Sequence, residues 1–467
     1  AMKKLLFALF VLSTFTNSIG QTLLNSHPLE LKKSRINHQI LNAVNLKKEI
    51  FAIASDKEKV TVLKYNKFLF FSDSLSVNRP DKEYDFMAGY SFENNGNPNI
   101  YWATEDFKKL QSVTFDLENK TTKVAGFQLR LTGETILNTF SENNFFYILA
   151  LPEKEESLKI YALRKGQLYE KAIDFSAYKF VDEKGKATSF TELIRQNGLQ
   201  MIDTKALNPL FETVGKSKMF VEGNKMILTF DSSERTQVLQ IDLNSFSIYE
   251  QLIPQQILVK SGKSNSYFHQ NKLYQLKTNA EELALAAVDL SSEETIKKYY
   301  ADTKDTISFR NSPLFTQTGN QGGKALKNTK KFLQRVADSE IGLSVYKTPE
   351  SIMLTVGGVR NVNTTGNILI GITAGAAMIG TGSGGDVSSF FNEGTLQANY
   401  FEALFDANFE HQNLSQLPLA VDLISQFLNE NNVALPAVFP FENYYILSYY
   451  DSKRKEFAMR KFEDVSD

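Results

Sequence analysis

An all-β fold built from one repeated sheet is the class this sequence predicts. Three observations carry the prediction. Runs of β-branched and aromatic residues alternate with polar ones at a period of two. Short connectors rich in Asp, Asn, Lys, Glu and Ser separate the runs, as hairpins require. The same succession of run, turn, run, turn, run recurs along the chain.

The copies follow in order. EIFAIASDKEKVTVLKYNKFLFFSDSL starts at Glu49, NIYWATEDFKKLQSVTFDLENKTTKVAGFQL at Asn99 and NFFYILALPEKEESLKIYALRKGQLYEKAIDF at Asn144. NKMILTFDSSERTQVLQIDLNSFSIYEQLIP starts at Asn224 and NKLYQLKTNAEELALAAVDLSSEETIKKYYA at Asn271. NYYILSYYDSKRKEFAMRKFED, from Asn443, lacks its third run. Several copies carry a further apolar segment upstream, at Tyr84, Glu134 and Phe211, which reads as a fourth, innermost strand. A further copy is split: LSVYKTPESIMLTVGGV from Leu343 is parted from NYFEALFDANFEH at Asn399. Four antiparallel strands repeating every ~45 to 60 residues make the blades of a β-propeller. The expectation is a seven-bladed β-propeller with helical and Gly-rich insertions, six and eight blades being the alternatives. A large β-sandwich or two-domain all-β protein is the rival. A strand near residues 27–45 is expected to complete the truncated last blade. The blades are expected over 21–312, an insertion-bearing segment over 313–440 and the closing blade over 441–467.

Composition agrees with a packed core. Of 467 residues, 42% are apolar and 22% charged, which argues against global disorder. The 36 Phe and 19 Tyr suit wedges between stacked sheets, so their abundance is structural first. Lys and Arg total 52 against 53 acidic residues, which gives no general drive toward nucleic acid or anionic lipid. With zero cysteines, disulfides, thiolate catalysis, Cys-based zinc sites and iron–sulfur clusters are excluded.

The N-terminus reads as an address. Lys3 and Lys4 precede the apolar stretch Leu5 to Thr16, and Ser18 and Gly20 are small residues before Gln21. Residues 1–20 are expected to be a secretory signal peptide, too short in its apolar part to span a bilayer. Removing Lys3 and Lys4 changes the balance to 50 minus 53, or −3.

Two stretches depart from the repeat. Within 181–207, SFTELIRQN reads as a short helix with Thr191 as cap and Gly198 as stop. The second departure lies between Pro313 and Pro440. It opens with a basic amphipathic stretch over Ala325–Ala337, expected as a solvated connector. It continues with NILIGITAGAAMIGTGSGGDVSSFF from Asn367, uncharged from Ile368 to Gly382 and repeatedly interrupted by Gly. Such a stretch is too short for a reliable transmembrane helix, and exposed it would be an aggregation liability, so something must cover it. It folds back on the propeller, docks into a protein partner, or makes nonspecific contact with lipid. Leu417–Leu428 reads as an amphipathic helix with Leu419, Leu423 and Leu428 near one face.

Chemistry leaves little trace. His27, His38, His269 and His411 show no metal-ligand spacing, and there is no H-E-x-x-H or G-x-S-x-G. GGK at Gly322 is followed by Ala325, which no P-loop allows, and GTGSGGD at Gly380 lies outside any βαβ unit. No catalytic residue, metal site or cofactor is assigned. Asp73-Ser74-Leu75 and Asp305-Thr306-Ile307 have the form of Bacteroidota O-glycosylation tripeptides, a form that chance also supplies.

The Lys/Asn/Phe/Tyr-rich, Cys-free composition and the leader ending Gly-Gln resemble Bacteroidota envelope proteins. With the apolar Gly-rich stretch, the chain is similar to periplasmic accessories of outer-membrane complexes, such as the plug of the type IX secretion translocon. The resemblance implies a non-enzymatic subunit, periplasmic or secreted and outer-membrane-associated, with an outer-membrane protein or envelope complex as partner. It implies no nucleic acid and no membrane span of its own. The residues expected to bind the partner are Ile368, Leu369, Ile370, Ile372, Met378 and Ile379. The alternatives are a propeller hydrolase or lyase acting on glycans or peptides, and a carbohydrate- or peptide-binding module. The single Trp102 makes the binding module less attractive.

Overall fold

The structure, a computed structural model, describes residues 21–32, 38–319, 322–361 and 396–466. Residues 1–20, expected to be a leader, and the six residues from Ile368 to Ile379 expected to bind a partner lie outside them. The described chain is all-β: seven of its sheets have the four-stranded antiparallel pattern of a β-propeller blade, and an eighth, two-stranded sheet pairs Phe180–Val181 with Ala187–Thr188. Two compact units divide it, one from the segments up to Arg79 and from Leu417, the other from Pro80–Gln416.

The first unit holds two blades. Blade 1 comprises Gln39–Val44, Ile50–Ser55, Lys59–Tyr65 and Phe71–Asn78 in spatial order. Blade 7 comprises Ala434–Phe441, Tyr444–Asp451, Glu456–Phe462 and, as its outer strand, Gln21–Pro28. Gln21 pairs with Phe462 and Pro28 with Glu456, so the two ends of the chain close one sheet. This corrects the expected strand near 27–45. That stretch is divided between the end of the closing strand and the inner strand of blade 1. The closing sheet also begins at Ala434, upstream of the 441–467 span expected for it.

The second unit holds five blades. Blades 2 and 3 run Phe86–Phe92, Pro98–Ala103, Lys109–Asp116, Thr121–Gln128 and Glu134–Glu142, Phe145–Pro152, Ser157–Arg164, Gln167–Asp174. Blade 4 runs Ser217–Glu222, Lys225–Asp231, Arg235–Asp242, Ile248–Pro254, and blade 5 Lys263–His269, Lys272–Thr278, Glu282–Asp289, Thr295–Asp302. Blade 6 is assembled out of order. Glu340–Lys347, Ile352–Asn361 and Leu396–Phe405 are completed by Phe315–Thr318, which precedes them in sequence.

Burial follows strand rank. Pro98–Ala103, flanked on both sides, is buried throughout, whereas the outer Thr121–Gln128 alternates exposed and half-buried residues. Aromatic rings fill the gaps between blades: Tyr101 of blade 2 stacks on Phe146 of blade 3 at 5.1 Å. Gly89 makes room for that ring, because a Cβ there would lie 2.3 Å from Phe146 Cδ2. The polar connectors close as Asx turns. Asp242 Oδ1 accepts from the backbone N–H of Asn244 and Ser245 at 3.0 and 2.7 Å. Asp289 and Asp451 repeat the device at Ser291 and Lys453.

Among the described residues, three α-helices fall where the pattern placed them, with revised ends. Helix α1, Phe190–Asn197, is capped by Ser189, whose Oγ accepts from Glu192 N, and stops at Gly198. Thr191 is not the cap; its hydroxyl donates to Glu155 O at 2.8 Å. Helix α2, Thr329–Ala337, starts later than expected because Lys324–Ala325 pair with Phe315–Thr316 as a strand. It is no solvated connector: Phe332, Leu333 and Val336 are fully buried in the core shared by blades 4, 5 and 6. Helix α3, Ala420–Glu430, buries Ala420, Ile424 and Phe427, while Leu423 and Leu428 stay half-buried.

Candidate functional site

The stretch between α1 and blade 4 does more than connect. Gln200–Ile202 adds a parallel strand to the inner edge of blade 4, with Gln200 opposite Lys218 and Ile202 opposite Phe220. The chain then returns through residues 203–216 along the inner strands of blades 4, 5 and 6. Asn208 fastens it. Its Nδ2 donates to Asp203 O, Ala206 O and Tyr267 OH at 2.8, 3.0 and 3.0 Å, and its carbonyl accepts from Ser344 Oγ at 2.7 Å. Beyond it, Leu210 and Val214 pack on Val359 and Leu396 of blade 6. Gly342 permits the approach, since a Cβ there would meet Thr213 Oγ1 and Val214 Cγ1 at 3.0 Å.

This inner segment carries charge. Lys205 Nζ meets Glu142 Oε2 at 2.8 Å, at the end of the inner strand of blade 3. Burial opposes the charge on Lys205, but the Glu142 carboxylate outweighs it and raises the ammonium pKa. Asp203 is solvent-exposed, yet desolvation by the protein around it raises its pKa above the ordinary carboxylate value. Glu212, half-buried, is pushed up to about 7, first by desolvation and then by the charge of Asp203. Glu212 can therefore exchange a proton near neutrality, with the Asp203 carboxyl close enough to act on it.

Glu212 has a measurable signature. Its folded pKa lies above its ordinary 4.5, so the folded state holds the extra proton between about 4.5 and 7. Stability is therefore expected to fall as pH rises through that window. Glu212→Gln should flatten the dependence and stabilise by about 1–2 kcal/mol at pH 8, read by urea unfolding at pH 5 and 8.

The second feature is the root of the Gly-rich excursion. Residues 362–395 join two strands that pair directly, Asn361 opposite Leu396. Arg360 Nε and Nη2 both donate to Gln397 Oε1, at 3.0 and 2.7 Å, and Gln397 Nε2 donates to Thr318 Oγ1. The connector into blade 5 lies at the same end of the unit, because Lys263 Nζ donates to Ser339 O beside the start of Glu340–Lys347. On that connector Ile257 and Val259 are 91% and 89% exposed, while Val259 N is held by Glu282 Oε2.

The histidines do not converge. His27 stacks on Phe71, His38 Nε2 meets Lys32 O, and His411 Nε2 meets Asn311 Oδ1. His269 is buried and its pKa pushed down to about 4 by desolvation. Among the described residues no group of three or more His, Cys, Asp or Glu is arranged to hold a metal, and no helix is long and apolar enough to cross a membrane. Sequence reasoning missed Glu142, Asp203, Lys205 and Glu212. Only the departure from the repeat at 181–207 pointed near them.

No family model matches the sequence, and no curated protein matches it either. Solved structures do resemble the chain. An oligogalacturonate lyase in complex with manganese aligns over 96% of this chain and 95% of its own, at 6% identity and a TM-score of 0.35. A prolyl endopeptidase aligns over 92% of this chain and 51% of its own, at 9% identity and 0.36. The WD40 domain of SCAP from fission yeast aligns over 82% and 97%, at 11% identity and 0.27. These likenesses are distant, and the assignment as a β-propeller protein stands on the seven sheets themselves.

Proposed function

We propose that the chain is a non-enzymatic accessory or plug subunit of an outer-membrane protein complex, of the kind found in the type IX secretion translocon. It works in the periplasm, or is secreted and held at the outer membrane. Its partner contact is the apolar run containing Ile368, Leu369, Ile370, Ile372, Met378 and Ile379. One observation carries the reading: this run is inserted between two registered strands whose root is locked by Arg360 and Gln397. A locked root presents an insertion without loading the blade, and loops on rigid scaffolds are where binding residues concentrate. The exposed Ile257 and Val259 at the same end of the unit extend the apolar surface.

Detergent extraction from the native envelope should recover the chain with a large outer-membrane protein. Deleting residues 364–390 should abolish that recovery and leave thermal unfolding within a few degrees of the parent. Recovery only as a free monomer would contradict the reading.

A second reading, a hydrolase or lyase acting on glycans or peptides, is favoured by Glu212, which carries a raised pKa next to Asp203 on the segment that Asn208 fastens to blades 5 and 6. It requires turnover that Glu212→Gln removes while the fold persists.

A further inference from the structure

Two turns at one end of blade 1 share a single design. In the first, Asn45 Oδ1 accepts from Lys47 N and Glu49 N at 2.9 and 3.0 Å, and Lys48 takes a left-handed φ of 62°. In the second, Asn66 Oδ1 accepts from Phe68 N and Phe70 N at 2.9 and 3.2 Å, and Leu69 takes a φ of 67°. Ile50 pairs with Tyr65, so both turns project from the same end of the sheet. Strand spacing sets their tips about 10 Å apart.

What the turns carry is unusual for a solvated edge. Leu46, Phe68 and Phe70 are 77%, 67% and 66% exposed. Leu69 between the two phenylalanines is buried, which anchors the turn and leaves its neighbours pointing outward. Lys47, Lys48 and Lys67 stand among them, exposed, and Lys67 Nζ lies 5.0 Å from the Phe68 ring centroid. Glu49, the carboxylate within the first turn, is engaged by Lys64 at 2.9 Å. The crest is therefore apolar and net cationic.

We propose that this double turn is a docking surface for an anionic phospholipid bilayer. The side chains suit an interface: Phe and Leu enter the headgroup–acyl boundary to about 5–10 Å, and lysines flank them to meet phosphates. The shape favours a bilayer over a protein groove, because the apolar groups stand on two convex tips rather than a concave or flat face. The Asn-locked turns hold those tips before contact, so little conformational freedom is lost on docking. The inference is independent of the partner run at 368–379, which belongs to the other unit of the chain.

Vesicle co-sedimentation tests it. The purified chain should bind phosphatidylcholine vesicles containing about one-third phosphatidylglycerol and bind pure phosphatidylcholine far less. Raising salt from about 0.1 M to about 0.5 M should weaken binding. The double variant Phe68→Ser/Phe70→Ser should lose at least tenfold in partitioning. Lys47→Gln and Lys67→Gln should lose roughly fivefold each at low salt. All four side chains are exposed, so melting should be unchanged in every variant. Equal binding to neutral vesicles, or binding indifferent to these substitutions, would overturn the proposal. So would a concentration-dependent dimer that the Phe68→Ser/Phe70→Ser change dissolves, since the crest would then pair with a second copy.

Discussion

Asp231→Ala should destabilise the protein by about 3–5 kcal/mol, the cost of leaving a buried charge without its partner. Lys218 of blade 4 is fully buried, and its Nζ lies 3.3 Å from Asp231 Oδ2 on the neighbouring strand. Asp231 also accepts from Thr236 Oγ1 at 2.8 Å and from Ser266 N, on blade 5, at 2.9 Å. The carboxylate thus joins two blades as well as neutralising a lysine. Desolvation pushes the Lys218 ammonium down to about 8; Asp231 resists the shift and Lys216 adds to it. A folded pKa below the unfolded 10.5 means the cation is penalised at neutral pH, and the penalty is relieved between about 8 and 10.5. Without Asp231 the penalty grows. Asp231→Ala should therefore recover stability more steeply than the parent as pH rises toward 10. Removing both charges, as Lys218→Met/Asp231→Leu, should cost much less than Asp231→Ala alone, because the desolvation penalty disappears with the pair. Equilibrium unfolding of the two variants at pH 7 and pH 9.5 checks both statements.

Gly357→Ala is the second large effect. Gly357 sits opposite Tyr400 in the two strands that flank the excursion. A Cβ there would lie 2.1 Å from Asn399 O and 2.8 Å from Tyr400 Cα. Both obstacles are backbone, so no rotamer change relieves them and the strands must part. A loss of about 3 kcal/mol follows from overpacking at a site that cannot yield. Gly126→Ala, on the outer strand of blade 2, meets nothing within 4 Å and should change stability by less than about 1 kcal/mol. Chemical denaturation of the pair separates the steric cost from the general effect of replacing glycine. Because the parting occurs at the excursion's root, Gly357→Ala should also weaken partner recovery before it unfolds the chain.

The sheets were legible because their signals are local. Alternation marked the strands, and Asp or Asn at the head of many connectors marked the Asx turns that end them, as at Asp242 and Asp289. The closing strand Gln21–Pro28 was illegible: QTLLNSHP has little β-branched content and gains strand form from pairing with Glu456–Phe462. Helix α2 was misjudged for a related reason. Its four flanking and internal lysines suggested solvent, whereas Phe332, Leu333 and Val336 form a narrow stripe that a three-blade core covers completely. The charged inner segment was not legible as a site. Glu142 ends an ordinary inner strand, and Asp203, Lys205 and Glu212 look like loop polarity until Asn208 holds their segment against Tyr267 and Ser344.

The most direct measurement places a photo-crosslinking residue at Ile370 and irradiates cells before extraction. A dominant adduct with an outer-membrane protein, lost when the crosslinker is moved to the opposite end of the blade at Lys347, is the predicted result. Adducts confined to the chain's own blades would mean the greasy run folds home, and the docking account would be wrong.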